Sequence, residues 1–162
     1  MEAFKIALFE QEHAGPFPSF RTLSSHECQQ WREQLAQRLG LPAGGAVQAF
    51  VADLASRQTY LPEVNALEGF ALLPTLTARG ITPESELFLN WARFEALDVF
   101  ATADVAACFD DLWYPAADDL DLFDDSARWL LSVRHDGVVS LICDVRFIFR
   151  PFSSTSWPLD IT

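Results

Sequence analysis

Residues 118–143 read DDLDLFDDSARWLLSVRHDGVVSLIC and contain three apolar runs separated by two polar segments. The first run, Asp118–Phe123, alternates acidic and apolar residues, which predicts a strand with its carboxylates facing water and its leucines facing a core. The runs Trp129–Val133 and Val138–Cys143 are joined by residues 134–137, RHDG. Because Asp-Gly is a strong signal for a tight β-turn, these two runs predict an antiparallel hairpin.

The N-terminal part of the chain predicts a strand followed by two helices. The segment Ala3–Phe9 (AFKIALF) alternates and is rich in large apolar residues, which predicts an opening strand. Ser24 and Glu27 have the spacing of a capping box, and apolar residues then recur at four-residue intervals up to Gly40, which predicts a helix. A second apolar-periodic run predicts a short helix over Val47–Gln58.

The middle of the chain gives weaker signals. The segment Gly69–Thr77 predicts a strand, and Pro83 followed by two glutamates is typical of a helix start. That helix would continue through Leu87–Leu97, although the aromatic content there leaves a strand open. A further helix is expected to begin with Thr102 or Asp104 as its cap and to end at Leu112.

The predicted elements place the chain in the α+β class. We expect one domain over residues 1–162, with N-terminal helices and a small, mainly antiparallel sheet that includes the C-terminal hairpin. Four aromatic residues near the C-terminus are expected to pack on the sheet or to extend its edge: Phe147, Phe149, Phe152 and Trp157.

Composition argues against several classes of partner. With 11 Lys+Arg against 23 Asp+Glu, the formal net charge is −12, which disfavours direct binding to nucleic acid. No stretch approaches 18 uninterrupted apolar residues, so neither a membrane span nor a membrane partner is expected. The odd number of cysteines, Cys28, Cys108 and Cys143, favours free thiols in a reducing cytoplasm over a disulfide framework.

The sequence predicts neither a catalytic residue nor a cofactor. It contains no nucleophile elbow, no His-Glu-x-x-His motif, no Cys-x-x-Cys motif and no phosphate-binding loop. An alternative is a metal-dependent hydrolase or transferase, because Asp119 and Asp121 would share one face of a strand and Asp124 or Asp125 could join them. Asp-x-Asp is frequent by chance, and we predict no metal ligands.

The acidic residues are concentrated in one segment. Between Arg93 and Arg128 lie 34 residues without Lys or Arg, and they include ten carboxylates. Such a run is commonly a solvated face. It is also the composition of a protein-binding surface, in which aromatic anchors are surrounded by charge. The predicted partner-binding residues are Asp110, Asp111, Trp113, Tyr114, Asp118, Asp119, Asp121, Asp124 and Asp125.

The segment Phe109–Leu141, about a fifth of the chain, resembles part of a known class of proteins. Its DDLWYPAADD string, continuing to RWLLSVRHDGVVSL, resembles the C-terminal pattern of small acidic immunity proteins from bacterial polymorphic toxin systems. The resemblance implies a cytoplasmic protein that binds and inhibits a cognate toxin with a basic active-site cleft, such as a nuclease or a deaminase. Asp118, Asp119, Trp113 and Tyr114 match the motif positions, and they could equally fix a helix-to-strand corner.

A second binding function is compatible with the same charge. An acidic protein can mimic nucleic acid and inhibit a DNA-binding enzyme by displaying carboxylates at phosphate-like intervals. Such a mimic is expected to spread its acids over a long face, whereas the acids here are clustered. Clustering favours a compact epitope for one protein partner.

Overall fold

A computed structural model describes residues 1–42, 44–91 and 93–144 of the chain. The described residues form six α-helices, one 3₁₀ turn and seven strands. In chain order these are α1 (Ala3–His13), β1 (Phe20–Thr22), α2 (Ser25–Leu39), α3 (Val47–Arg57), β2 (Thr59–Asn65), the 3₁₀ turn (Ala66–Glu68), α4 (Leu72–Thr77), β3 (Glu86–Asn90), β4 (Leu97–Ala101), α5 (Thr102–Ala107), α6 (Phe109–Leu112), β5 (Leu120–Asp124), β6 (Trp129–Val133) and β7 (Val138–Cys143).

The seven strands form one antiparallel sheet in the order β1-β4-β3-β5-β6-β7-β2. The α+β class and the C-terminal hairpin are therefore confirmed. The aromatic residues predicted to cover the sheet edge, Phe147, Phe149, Phe152 and Trp157, lie outside the described residues. The single domain over residues 1–162 includes this segment and stays a prediction.

Helices cover the sheet on both faces. On one face, α2 and α3 pack through Leu35 and Phe50 against strand residues such as Phe88 and Phe123. On the other face, α4, α5 and α6 pack against the alternate residues of the same strands, including Leu122. Successive side chains of a strand point to opposite faces, and helices cover both faces of this sheet. The central strands β5 and β6 are therefore buried along their whole length.

The predicted helix after Ser24 is confirmed. The Ser24 side chain accepts a hydrogen bond from the Glu27 backbone N–H, and the Glu27 carboxylate accepts one from the Ser24 backbone N–H. This reciprocal capping box satisfies two donors that the helix would otherwise leave unpaired. Hydrogen bonds from Ser24 lower the pKa of Glu27. The second predicted helix is also present as α3.

The predicted opening strand Ala3–Phe9 is wrong, because this segment lies within α1. Met1, Lys5 and Phe9 recur every four residues and turn toward the protein, a helical spacing that the apparent alternation concealed. The segment also contains two alanines, a leucine and a lysine, which favour helix.

Three further predictions for the middle of the chain need correction. The segment Gly69–Thr77 contains α4 instead of a strand. Leu87–Leu97 spans β3 and the start of β4, so the strand that was left open as the alternative is present and the helix is not. The helix expected up to Leu112 is divided at Cys108 into α5 and α6, and neither Thr102 nor Asp104 caps it. Burial of β3 on both faces produces a continuous apolar run that periodicity alone does not distinguish from a buried helix.

The hairpin turn depends on Gly137, which has a φ of +83°. A Cβ at this position would lie 2.3 Å from Asn65 Oδ1 and 2.6 Å from Leu67 Cγ. Gly44 has the same φ of +83°, but a Cβ there would meet nothing within 4 Å. Comparing alanine substitutions at the two glycines therefore separates the cost of backbone strain from the cost of side-chain crowding.

We predict that Gly137→Ala destabilises the protein more than Gly44→Ala. Gly44→Ala is expected to cost about 1–2 kcal/mol through its left-handed backbone. Gly137→Ala is expected to cost at least about 1 kcal/mol more, because the added methyl group must displace Asn65 and Leu67. Urea unfolding followed by tryptophan fluorescence measures the free energy of unfolding of both variants. Equal losses of stability in the two variants would contradict the crowding argument.

Candidate functional site

The segment between α6 and β5, residues 113–119, forms a closed turn that we call the corner. Trp113 is buried, and its indole Nε1 donates a hydrogen bond to the Asp118 carbonyl oxygen at 3.0 Å. The Asp118 carboxylate in turn accepts a hydrogen bond from the Tyr114 backbone N–H at 2.7 Å. Trp113 was predicted to contact a partner, and its burial corrects that prediction, because its polar and apolar atoms are both used inside the fold.

The chain's single lysine, Lys5, connects α1 to the corner. Its side chain is only 1% exposed, and its Nζ lies 2.6 Å from Asp118 Oδ2 and 2.8 Å from the Leu112 carbonyl oxygen. The same ammonium group lies 4.2 Å from the centre of the Trp91 ring and 5.2 Å from that of Tyr114. Lys5 is therefore a buried cation with a carboxylate, a carbonyl group and two aromatic rings around it.

Asp119 joins the corner to the hairpin turn. Its Oδ1 accepts hydrogen bonds from the backbone N–H of His135 and from His135 Nδ1, both at 2.9 Å. Burial opposes the charge, but the hydrogen bonds from His135 and the nearby Arg134 outweigh it, so the pKa of Asp119 is lowered. The Ala116 N–H adds a hydrogen bond to the His135 carbonyl at 2.7 Å.

Asp121 was predicted to face water, and the structure shows that this is wrong. Its carboxylate accepts hydrogen bonds from Asn90 Nδ2 at 2.8 Å and from the Ser132 hydroxyl. Gln58 extends this chain of hydrogen bonds, because its amide nitrogen donates to the Ser132 hydroxyl and its amide oxygen accepts from the Ser140 hydroxyl. Burial raises the pKa of Asp121, and the hydrogen bonds from Ser132 and Asn90 partly oppose that shift. Helices α2 and α3 cover the face of the sheet on which Asp121 lies. The alternation of acidic and apolar residues along β5 therefore places a polar residue inside the protein.

Asp124 is also buried, which corrects its assignment to the partner-binding surface. Its carboxylate accepts hydrogen bonds from Trp129 Nε1 at 2.9 Å and from the Glu84 backbone N–H at 3.1 Å. Asp121 faces α2 and α3, whereas Asp124 lies on the face of Trp129. The structure therefore does not bring these two carboxylates together into the metal site considered from the sequence.

The cysteines and the turn histidine occupy structural positions. Cys28 and Cys108 are buried and Cys143 is half-buried, and all three are free thiols. Burial raises the pKa of both Cys108 and Cys143 to about 11, which disfavours the reactive thiolate. His135 lies exposed in the hairpin turn.

The side chains that remain accessible near the corner form an acidic and aromatic surface. Phe4 is 56% exposed, and its ring centre lies 6.0 Å from that of half-buried Tyr114. Burial and the neighbouring carboxylates of Asp111, Glu12 and Asp118 raise the pKa of Tyr114. We call this area the α1–α6 surface; it consists of Glu2, Phe4, Glu12, Asp110, Asp111 and Tyr114.

The structure retains only part of the predicted surface and adds residues that were not predicted. Asp110, Asp111 and Tyr114 belong to the α1–α6 surface, whereas exposed Asp125 lies beyond the other end of β5. The contribution of α1 was missed because its segment was interpreted as a strand. The four-residue spacing of Lys5 and Phe9 was the available signal, since it predicts a helix docked along one side.

Comparisons with protein-family models, with curated proteins and with solved structures found no match to the chain. Within the described residues, no helix combines the length and apolar character needed to cross a membrane.

We predict that Lys5 and Asp118 are energetically coupled. Lys5→Met or Asp118→Asn alone is expected to destabilise the protein by roughly 3–5 kcal/mol, because either change leaves an uncompensated buried group. The double variant is expected to cost clearly less than the sum of the two single changes. Urea unfolding at neutral pH measures this coupling.

The exposed pair Arg21–Glu86 provides the control for the buried pair, with both side chains more than half exposed and 3.7 Å between their charged atoms. Arg21→Met is expected to cost at most about 1 kcal/mol. Strict additivity of Lys5→Met and Asp118→Asn would contradict the role assigned to the Lys5–Asp118 contact.

We predict that the charge of Asp119 stabilises the fold only above acidic pH. Because its pKa is lowered on folding, its contribution is complete above the unfolded value of about 4 and disappears as the pH falls through the folded pKa. Asp119→Asn should therefore be less stable than the natural protein at pH 7, and the difference should shrink below about pH 4. Chemical denaturation at both pH values measures it, and a constant difference would count against the mechanism.

Proposed function

We propose that this chain is an inhibitory binding protein of the immunity type, which acts in the cytoplasm and blocks a cognate bacterial toxin. The observation that carries the proposal is the α1–α6 surface, where accessible Phe4 and Tyr114 lie together with the carboxylates of Asp111 and Glu12 close to Tyr114, and with exposed Asp110 on α6. Aromatic side chains at the centre of an interface supply most of its binding energy, and surrounding charges accelerate association. The resemblance of Phe109–Leu141 to immunity proteins supports the same assignment.

The charge of the surface favours a basic partner. Among the described residues, Lys5 lies beside this surface, but it is buried, and its ammonium group lies 2.6 Å from the Asp118 carboxylate and 3.9 Å from that of Glu2. The carboxylates of Glu12 and Asp110, with that of Asp111 beside His13, therefore present negative charge that a basic active-site cleft can neutralise. A nuclease or deaminase toxin has such a cleft because it binds a polyanionic substrate.

A metal-dependent hydrolase receives less support, because Asp121 and Asp124 are buried on opposite faces of β5. A nucleic-acid mimic also receives less support. Burial removes these two carboxylates from the predicted acidic face, and the accessible ones near the corner gather around Phe4 and Tyr114. We therefore favour one protein partner with a compact epitope.

The test is rescue of a bacterium that expresses a toxin domain encoded beside this gene. We expect the natural chain to restore growth, and Phe4→Ser and Asp110→Lys to weaken rescue. Loss of an anchoring aromatic side chain is expected to raise Kd by about 30-fold, mainly through faster dissociation. Charge reversal at Asp110 is expected to slow association, most strongly at low salt. Binding kinetics with the purified toxin domain measure both effects.

Glu33→Lys on α2 provides the matched control, because Glu33 is exposed on the opposite side of the sheet and its reversal changes the net charge equally. It is expected to retain rescue. Absence of rescue by the natural chain, or equal loss with Glu33→Lys, would contradict the proposal. Inhibition of several unrelated DNA-binding enzymes would instead favour the nucleic-acid mimic.

A further inference from the structure

A cluster of potential metal ligands forms where the end of α1 meets α6. Glu12, His13 and Asp111 each offer one ligand atom, and these atoms all lie within 4.8 Å of one another. His13 Nε2 lies 3.0 Å from Asp111 Oδ1, across 98 positions of sequence. Within the described residues, this is the cluster of His, Cys, Asp or Glu side chains with metal-binding geometry.

The imidazole of His13 is held in place before any ion binds. Its ring centre lies 4.2 Å from that of Phe9, one helical turn earlier, with 30° between the ring planes. The hydrogen-bonding contact with Asp111 fixes the direction of Nε2 on the other side. Two of the three ligands are therefore oriented by contacts that do not involve Glu12.

The remaining ligand can complete the site with a small movement. Ligand atoms about 2.0–2.2 Å from one ion lie at most about 4.4 Å apart, so separations that are all within 4.8 Å need to contract by no more than a few tenths of an ångström. Glu12 is exposed on the last turn of α1, and its side chain can rotate without disturbing the core. Among the described residues, neither Glu12 nor Asp111 pairs with a Lys or Arg side chain.

We infer that Glu12, His13 and Asp111 bind one divalent transition-metal ion of the Zn²⁺ class. One imidazole nitrogen with two carboxylate oxygens suits Zn²⁺, Co²⁺ or Ni²⁺, whereas Ca²⁺ and Mg²⁺ prefer oxygen ligands alone. Three protein ligands leave a further coordination position for water or for a group from a partner. The bound ion links α1 to α6 and adds to the attachment that Lys5 provides.

Isothermal titration of the tag-free chain with Zn²⁺ tests this site directly. We expect one saturable site per chain, with affinity reduced at least about tenfold by His13→Ala and by Glu12→Gln. Zn²⁺ should also raise the melting temperature of the natural chain but not that of His13→Ala, because an ion bound only to the folded state stabilises it. In the presence of EDTA, the circular dichroism of His13→Ala should match that of the natural chain.

His26→Ala and Glu33→Gln are the matched controls, since both residues are exposed on α2 and lie outside the cluster. They are expected to leave Zn²⁺ affinity unchanged. Undiminished binding by His13→Ala, equal loss in the two controls, or unsaturable binding would overturn the site. Because the probe is the metal alone, this result is independent of the toxin proposal.

Discussion

The seven-stranded sheet is covered on both faces, and this constraint determines where the acidic residues can act. A carboxylate on a central strand has no solvent-facing side, so it must find hydrogen-bond donors inside the protein. Asp121 is satisfied by Asn90 and Ser132, and Asp124 is satisfied by Trp129 and the Glu84 backbone. The high acidic content of the segment is therefore divided between internal hydrogen bonding and surface charge.

Elements with strong local signals were predictable from the sequence, because neighbouring residues alone determine them. The capping box at Ser24 and the Asp-Gly turn at Gly137 both work through backbone groups a few residues away. The four-residue spacing of Lys5 and Phe9 is a local signal for helix α1, but the place where this helix docks depends on Asp118, 113 positions from Lys5. The orientation of Asp121 required knowledge of a second helical layer, which no pattern within β5 contains.

The Asp118–Asp119 pair shows how adjacent motif residues take different structural roles. Asp118 holds the Tyr114 backbone and the Lys5 ammonium group, whereas Asp119 holds the turn of the β6–β7 hairpin. Together they fix the corner to an N-terminal helix and to a C-terminal turn. A motif interpreted from sequence as a binding element therefore includes residues whose hydrogen bonds maintain the fold.

The structural role of the corner and a binding role for the same region are compatible. Trp113 and Asp118 are committed to internal contacts, and those contacts leave Tyr114 half-exposed beside Phe4. An interface side chain loses less entropy on binding when its position is already fixed. Tyr114 is fixed by its backbone hydrogen bond to Asp118 and by the Lys5 ammonium group near its ring. The buried Lys5–Asp118 contact thus orders the aromatic group that a partner would meet.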